Sequence, residues 1–255
     1  MPVNTIVGPL TIPSDRWNEL VNKEVDECLD YLNSIVKSVD TVESSVVKLS
    51  TYFSIIDSMV QNGVNYAPNV HQADIFAEFV SQHQKSCSYI SEIEPVTLYY
   101  RNESALSNIN LFDYLEDGQI YNMTSQSIIN MRQVILDELA KHYPTDKVAK
   151  LSKEHTITHL LYRLRCFTAH EFSANHISNF KTLSEPYYIC FGRRYVVNNN
   201  VVDDNVWKYM IPPAFVKTIC MDCITQYLEN CRANKQMPYH NNTLDRVAEL
   251  SWYNK

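Results

Sequence analysis

The sequence predicts an all-α fold, a helical bundle decorated by an irregular insertion and a short β-hairpin or extended arm. Three observations lead there. Apolar residues recur every three or four positions along most of the chain, only four of the 255 residues are glycine, and prolines punctuate the periodic segments instead of interrupting them. So little glycine argues against glycine-rich phosphate loops, barrels with many tight turns and flexible linkers.

Pro13-Ser14-Asp15 supplies a helix start, and Trp17, Leu20, Val21, Val25, Cys28, Leu29, Leu32, Ile35, Val36 and Val39 then mark one long amphipathic helix. A second is expected from about residue 43 to 61, with Val46, Val47, Leu49, Phe53, Ile56 and Val60 inward and Asn62-Gly63 as its stop. Beyond Pro68, a third pattern runs from about 71 to 90 through Ile75, Phe76, Phe79 and Val80.

Between residues 92 and 124 the helical period is lost, and Pro95-Val96-Thr97-Leu98-Tyr99-Tyr100 reads as extended, with a short strand or a brief helix near Leu111 to Leu115. Ser125 opens a helix through Ile128, Ile129, Met131, Val134, Ile135 and Leu139 that ends before Pro144. Pro144-Thr145-Asp146 starts another, expected to run unbroken from Lys147 to about Ser173 with Val148, Leu151, Ile157, Leu160, Leu161, Leu164 and Phe167 packed. Tyr187 to Val197, an asparagine run and Val201-Val202-Asp203 read as a hairpin or an extended arm. Pro212-Pro213 opens a last long helix to about Ala233, and a short one is expected from Thr243 to Trp252.

A chain of this length can bury a sizeable core, and residues 1–255 read as a single domain. Its parts are N-terminal helices at 1–92, an irregular insertion at 93–124, a core at 125–233 and a C-terminal tail helix at 234–255. Without a membrane-length apolar run or a leader pattern at its start, the chain reads as cytoplasmic. Seven scattered cysteines then fit reduced thiols, and the Asn-x-Ser/Thr triplets at Asn102, Asn122 and Asn241 read as chance.

A net charge of −7 argues against a broad nonspecific nucleic-acid binder. The charge is uneven, however. Residues 141–194 carry nine Lys/Arg against four Asp/Glu and five of the eight histidines, which leaves the rest of the chain at −12. Seventeen tyrosines and nine phenylalanines supply rings for a core or for stacking on bases.

Within the positive stretch lies Arg165-Cys166-Phe167-Thr168-Ala169-His170. Arginine can grip a phosphate with two hydrogen bonds, and histidine exchanges a proton near neutral pH, so the two together suit RNA cleavage without a metal. The spacing resembles the R-x4-6-H signature of the HEPN superfamily, mostly helical domains of which many are ribonucleases. On that resemblance the core at 125–233 is HEPN-like, and RNA is the partner. Arg165 would hold the scissile phosphate and His170 would serve as general base or acid, leaving a 2′,3′-cyclic phosphate and a 5′-hydroxyl with no metal or cofactor.

Five positions on a helix separate two side chains by about 140°. HEPN domains commonly pair so that two signatures face one cleft, which implies a homodimer. The resemblance also implies a toxin or antiphage role and a separate antitoxin or regulatory protein. Arg163, Arg193 and Arg194 are candidate RNA-backbone contacts. Family members often carry Asn, His or Asp after the arginine, where this chain has Cys166. The alternative reading is therefore a noncatalytic helical interaction or nucleotide-binding protein with a degenerate motif. His155-x3-His159 and Cys220-x2-Cys223 have zinc-compatible spacing, although the cysteines stand in an apolar helical context that suits buried free thiols.

Overall fold

The computed structural model describes residues 5–7, 10–63, 70–170, 183–197 and 200–238, with side chains at 13–62, 70–169, 183–192 and 204–238. Among these residues the chain is mostly helical, with eight α-helices, a small three-stranded antiparallel sheet and a two-stranded one. No helix among them is long and apolar enough to cross a membrane. The chain divides into two compact units, Met1–Ser86 with Lys217–Lys255, and Cys87–Val216.

The first unit begins with β1 (Thr5–Val7) and β2 (Leu10–Ile12), an antiparallel pair the periodicity did not suggest. Helix α1 (Ser14–Asp40) buries Val21, Val25, Cys28, Leu32 and Val36, so a repeat of three and four residues becomes one inward stripe. Helices α2 (Ser45–Gly63) and α3 (Gln72–His83) pack beside it in turn. Leu49, Phe53, Ile56 and Val60 are buried as expected, but Val47 is 45% exposed because Tyr52, Ile55 and Met59 fill the inner face instead. Helix α3 stops at His83, short of the expected 90. There the backbone N–H groups of Lys85 and Ser86 donate to Asp222 Oδ2 at 2.8 and 2.7 Å, which takes the chain out of the helix.

Helix α8 (Pro213–Asn234) closes this unit with buried Ile219, Cys220, Cys223, Ile224, Tyr227, Leu228 and Cys231. It ends on Lys235 in the left-handed region, φ 56°, with Gln236 N–H bonded to the Cys231 carbonyl at 2.8 Å, the six-to-one closure of a Schellman turn. The Trp17 indole N–H donates to the Lys235 carbonyl at 2.9 Å and ties the start of α1 to that turn. The short helix expected at 243–252 lies outside the described residues.

In the second unit, the stretch read as extended is helix α4 (Pro95–Arg101). The Glu94 carboxylate accepts from the N–H groups of Val96 and Thr97, both at 2.8 Å, and Pro95 occupies the first helical position, where its missing N–H costs nothing. A 3-10 turn follows at Leu111–Asp113, then β3 (Tyr121–Asn122). Helix α5 (Gln126–His142) buries Ile128, Met131, Ile135 and Leu139, while Ile129 faces outward at 41% exposure.

The expected single helix over 147–173 is two, α6 (Thr145–Glu154) and α7 (Ile157–His170). The break falls at His155-Thr156, and its backbone groups find partners outside the helix. Glu94 N–H donates to the His155 carbonyl at 2.8 Å, Ile157 N–H to Glu92 at 3.1 Å and Thr158 N–H to Ile90 at 3.2 Å. Strands β4 (Tyr187–Val197) and β5 (Asn200–Met210) then form the hairpin, and β3 adds to the outer side of β4. Tyr187, Tyr188, Trp207 and Tyr209 are buried at its base.

Candidate functional site

Helices α4 and α7 start at one backbone junction, the bridge between Ile93 and Thr156. Arg101 lies seven residues after Glu94, and Arg163 seven after Thr156. At 1.5 Å per residue both guanidinium-bearing positions sit about 10 Å out from the junction. They line one cavity of about 210 Å³.

Helix α7 contributes Leu160, Arg163, Leu164 and Phe167, which is one helical face at spacings of three and four; α4 contributes Thr97 and Arg101. Phe167, expected to be packed, is 40% exposed because its face opens onto this cavity and not onto the core. Tyr209 of β5 also lines it. That residue is 3% exposed, and its hydroxyl has no hydrogen-bond partner among the described residues.

Two guanidiniums line the cavity, and the Glu154 carboxylate acts on Arg163 against the Arg101 charge. Neither Arg101 nor Arg163 is in a salt bridge with a described carboxylate, and Arg163 Nη1 is buried without a hydrogen-bond partner among the described residues. Burial first, and the Arg101 charge second, push the Arg163 guanidinium below its ordinary range, although it remains protonated at neutral pH. Nearby His155 is 1% exposed and falls from its ordinary 6.5 to about 4, mainly through burial and further through the charges of Arg163 and Arg101. Its Nδ1 lies 2.7 Å from the Leu151 carbonyl. A carbonyl only accepts, so Nδ1 carries the hydrogen and Nε2 is a bare acceptor, also buried and without a partner among the described residues.

Arg165 takes another face of α7. It is half-buried, with its guanidinium carbon 5.7 Å from the Tyr162 ring centroid and Nη1 3.9 Å from Cys166 Sγ. The Thr168 hydroxyl donates to the Arg165 carbonyl at 3.0 Å, a back-bond of the kind that bends helices. His170 is the last residue of α7; its side chain lies outside the described residues. Along an α-helix, position 170 falls about 20° round and about 10.5 Å along from position 163, but about 140° round from position 165.

Arg193 and Arg194, expected on an exposed turn, instead lie within β4, because that strand is longer than its hydrophobic signal and runs to Val197. The register sets Arg193 opposite Asp204 and Arg194 opposite Asp203; the two arginine side chains lie outside the described residues. The helix break puts His155 and His159 on different elements. Each ring has its own local partner, the Leu151 carbonyl for one and Thr156 Oγ1 at 2.8 Å for the other. Cys220 and Cys223 are fully buried thiols that burial pushes far up. Among the described residues no group of three or more His, Cys, Asp or Glu is placed to hold a metal.

The sequence reading missed Arg101 and Tyr209. Arg101 was hidden because Glu94-Pro95, a capping acid before a first-turn proline, went unread as a helix start. Compared with known proteins, the chain matches no protein-family model, no curated protein and no solved structure.

Proposed function

We propose that the chain is a metal-independent RNA endonuclease of HEPN type that works as a homodimer, with Arg165 and His170 as its working pair. The observation that carries this reading is that Arg165 stays half-buried near the end of α7, outside the core, on the helix that terminates at His170. The Arg165 guanidinium carbon lies 5.7 Å from the Tyr162 ring centroid, and a guanidinium is the side-chain group that matches a phosphate.

In the proposed reaction His170 removes the proton from a ribose 2′-hydroxyl, whose oxygen forms a new bond to the adjacent phosphorus as the bond to the 5′-oxygen breaks. Arg165 stabilises the charge that builds on the nonbridging oxygens. The leaving 5′-oxygen takes a proton, from the second histidine of the pair in the dimer. Two signatures facing one cleft remove the difficulty of the 140° arc between the two residues on a single helix. The HEPN resemblance further suggests a cytoplasmic toxin or antiphage effector restrained by a separate antitoxin or regulatory protein. Cys166, packed against Arg165 in the position often held by a polar residue, favours the alternative of a noncatalytic interaction or nucleotide-binding protein.

The test is RNA cleavage by the purified full chain in excess chelator. We expect products ending in a 2′,3′-cyclic phosphate, and a loss of roughly a hundredfold or more in Arg165→Ala and in His170→Ala. Folded variants that cleave like the parent, or a parent that leaves RNA intact, would overturn the assignment.

A further inference from the structure

We infer that the cavity between α4 and α7 binds a nucleoside monophosphate unit, with its phosphate between Arg101 and Arg163 and its base against Phe167. The inference stands whether or not Arg165 and His170 cleave RNA, and the unit is either a free mononucleotide or the phosphorylated end of a nucleic-acid chain.

Three observations lead there. Two guanidiniums enter one cavity from different helices, and neither has a carboxylate partner among the described residues. Holding like charges together while one is half-buried is unfavourable unless an anion completes the site. Two guanidinium forks offer more donors than a carboxylate can use, and they match the three free oxygens of a phosphate monoester.

The cavity, about 210 Å³ and open to solvent, has room for one phosphate with a neighbouring ring.

The walls choose the ring. Phe167 presents an open aromatic face, and Leu160 and Leu164 give an apolar floor, as a stacked base requires. Tyr209 completes the wall.

The experiment is titration calorimetry on the full chain in phosphate-free, low-salt buffer. The probes are the four nucleoside monophosphates with phosphate at the 5′ or 3′ position, their nucleosides, inorganic phosphate, phosphotyrosine, and 2′-deoxy tetranucleotides with or without a terminal phosphate. The deoxy chains lack the hydroxyl that cleavage needs, so binding is read apart from catalysis. We expect at least one monophosphate to bind about tenfold or more tightly than its nucleoside and than inorganic phosphate. Arg101→Gln and Arg163→Gln should each weaken it by roughly tenfold to a hundredfold. Phe167→Ala should weaken the nucleotide by about tenfold and leave inorganic phosphate unchanged.

Tighter binding of the phosphorylated tetranucleotide assigns the site to a chain end, and tighter binding of the mononucleotide assigns it to the free ligand. Equal affinity for nucleotide and nucleoside, preference for phosphotyrosine, or no binding of any probe at about 1 mM would overturn the inference. Arg101 is exposed, so Arg101→Gln with native melting and parental affinity would overturn it even if the Arg163 variant failed to fold.

Discussion

The backbone N–H of Glu94 donates to the carbonyl of His155 at 2.8 Å, and through this bond the start of α4 is fastened to the break between α6 and α7. The helices that carry Arg101 and Arg163 therefore leave from a shared origin, which is what brings two arginines 62 positions apart in sequence into one cavity.

Glu94 is fully buried and its carboxylate caps α4, so its removal should loosen that origin. We expect Glu94→Ala to cost about 1–3 kcal/mol in urea unfolding, and Glu94→Gln, which keeps an acceptor, to cost less. Burial lifts this carboxyl above its ordinary range despite hydrogen bonds from Thr97, the Val96 N–H and Tyr188. A raised carboxyl favours the fold at low pH and loses that contribution as pH rises through the folded value, so Glu94→Gln should flatten this limb. An Ala variant as stable as the parent would show that the cap is dispensable.

His155 acts in the opposite sense. Burial, then the charges of Arg163 and Arg101, lower it from 6.5 to about 4 against the pull of the Leu151 carbonyl and Glu154. Its neutral form is the one the fold accepts. Stability is thus complete above about 6.5 and declines as pH falls toward 4, because the unfolded chain takes up the proton first. The full effect is at most about 3 kcal/mol. Urea midpoints measured between these two pH values should fall in the parent and fall less in His155→Gln; parallel slopes would remove His155 from the account.

Arg163 bears a cost that a bound anion would relieve. In phosphate-free buffer we expect Arg163→Met to be neutral or to stabilise the chain by about 1 kcal/mol, since it removes a half-buried charge from beside Arg101. Added inorganic phosphate should raise the melting temperature of the parent more than that of the variant. A loss above about 2 kcal/mol would mean that Arg163 is a structural element of the core.

Asp40 joins α1, α2 and α8 within the first unit. It accepts from the Tyr52 hydroxyl at 2.8 Å and from Lys217, and its carbonyl accepts from Lys48 at 2.9 Å. Burial draws its carboxyl upward, but the Lys217 and Tyr52 hydrogen bonds outweigh this and hold it below its ordinary 3.8. The stability it lends is present above that value and lost as pH falls through the folded one. We expect Tyr52→Phe to cost about 1 kcal/mol at neutral pH and Lys217→Met to move acid unfolding to higher pH. An unchanged acid limb in Lys217→Met would reject the coupling.

Much of the helical order was legible because burial and periodicity coincide. The stripe Val21, Val25, Cys28, Leu32, Val36 and the run Ile75, Phe76, Phe79, Val80 are each buried where the spacing put them. Val47, Ile129 and Phe167 went astray for a common reason: an apolar residue at the margin of a stripe is placed by its neighbours in space, which periodicity does not contain. The candidate site was legible only in part. Arg163, Arg165 and His170 stood out as charged or titratable groups near the end of one helix, yet nothing in their spacing identified Arg101 as the companion of Arg163.

By itself the sequence determined most of the helical segments and where several prolines begin them, since these depend on contacts within a few residues. Only the tertiary structure decided that one expected helix breaks at His155-Thr156 and that two like charges share a cavity. Each of these depends on hydrogen bonds between segments some sixty residues apart, where the free energy of pairing buried backbone groups outweighs local preference.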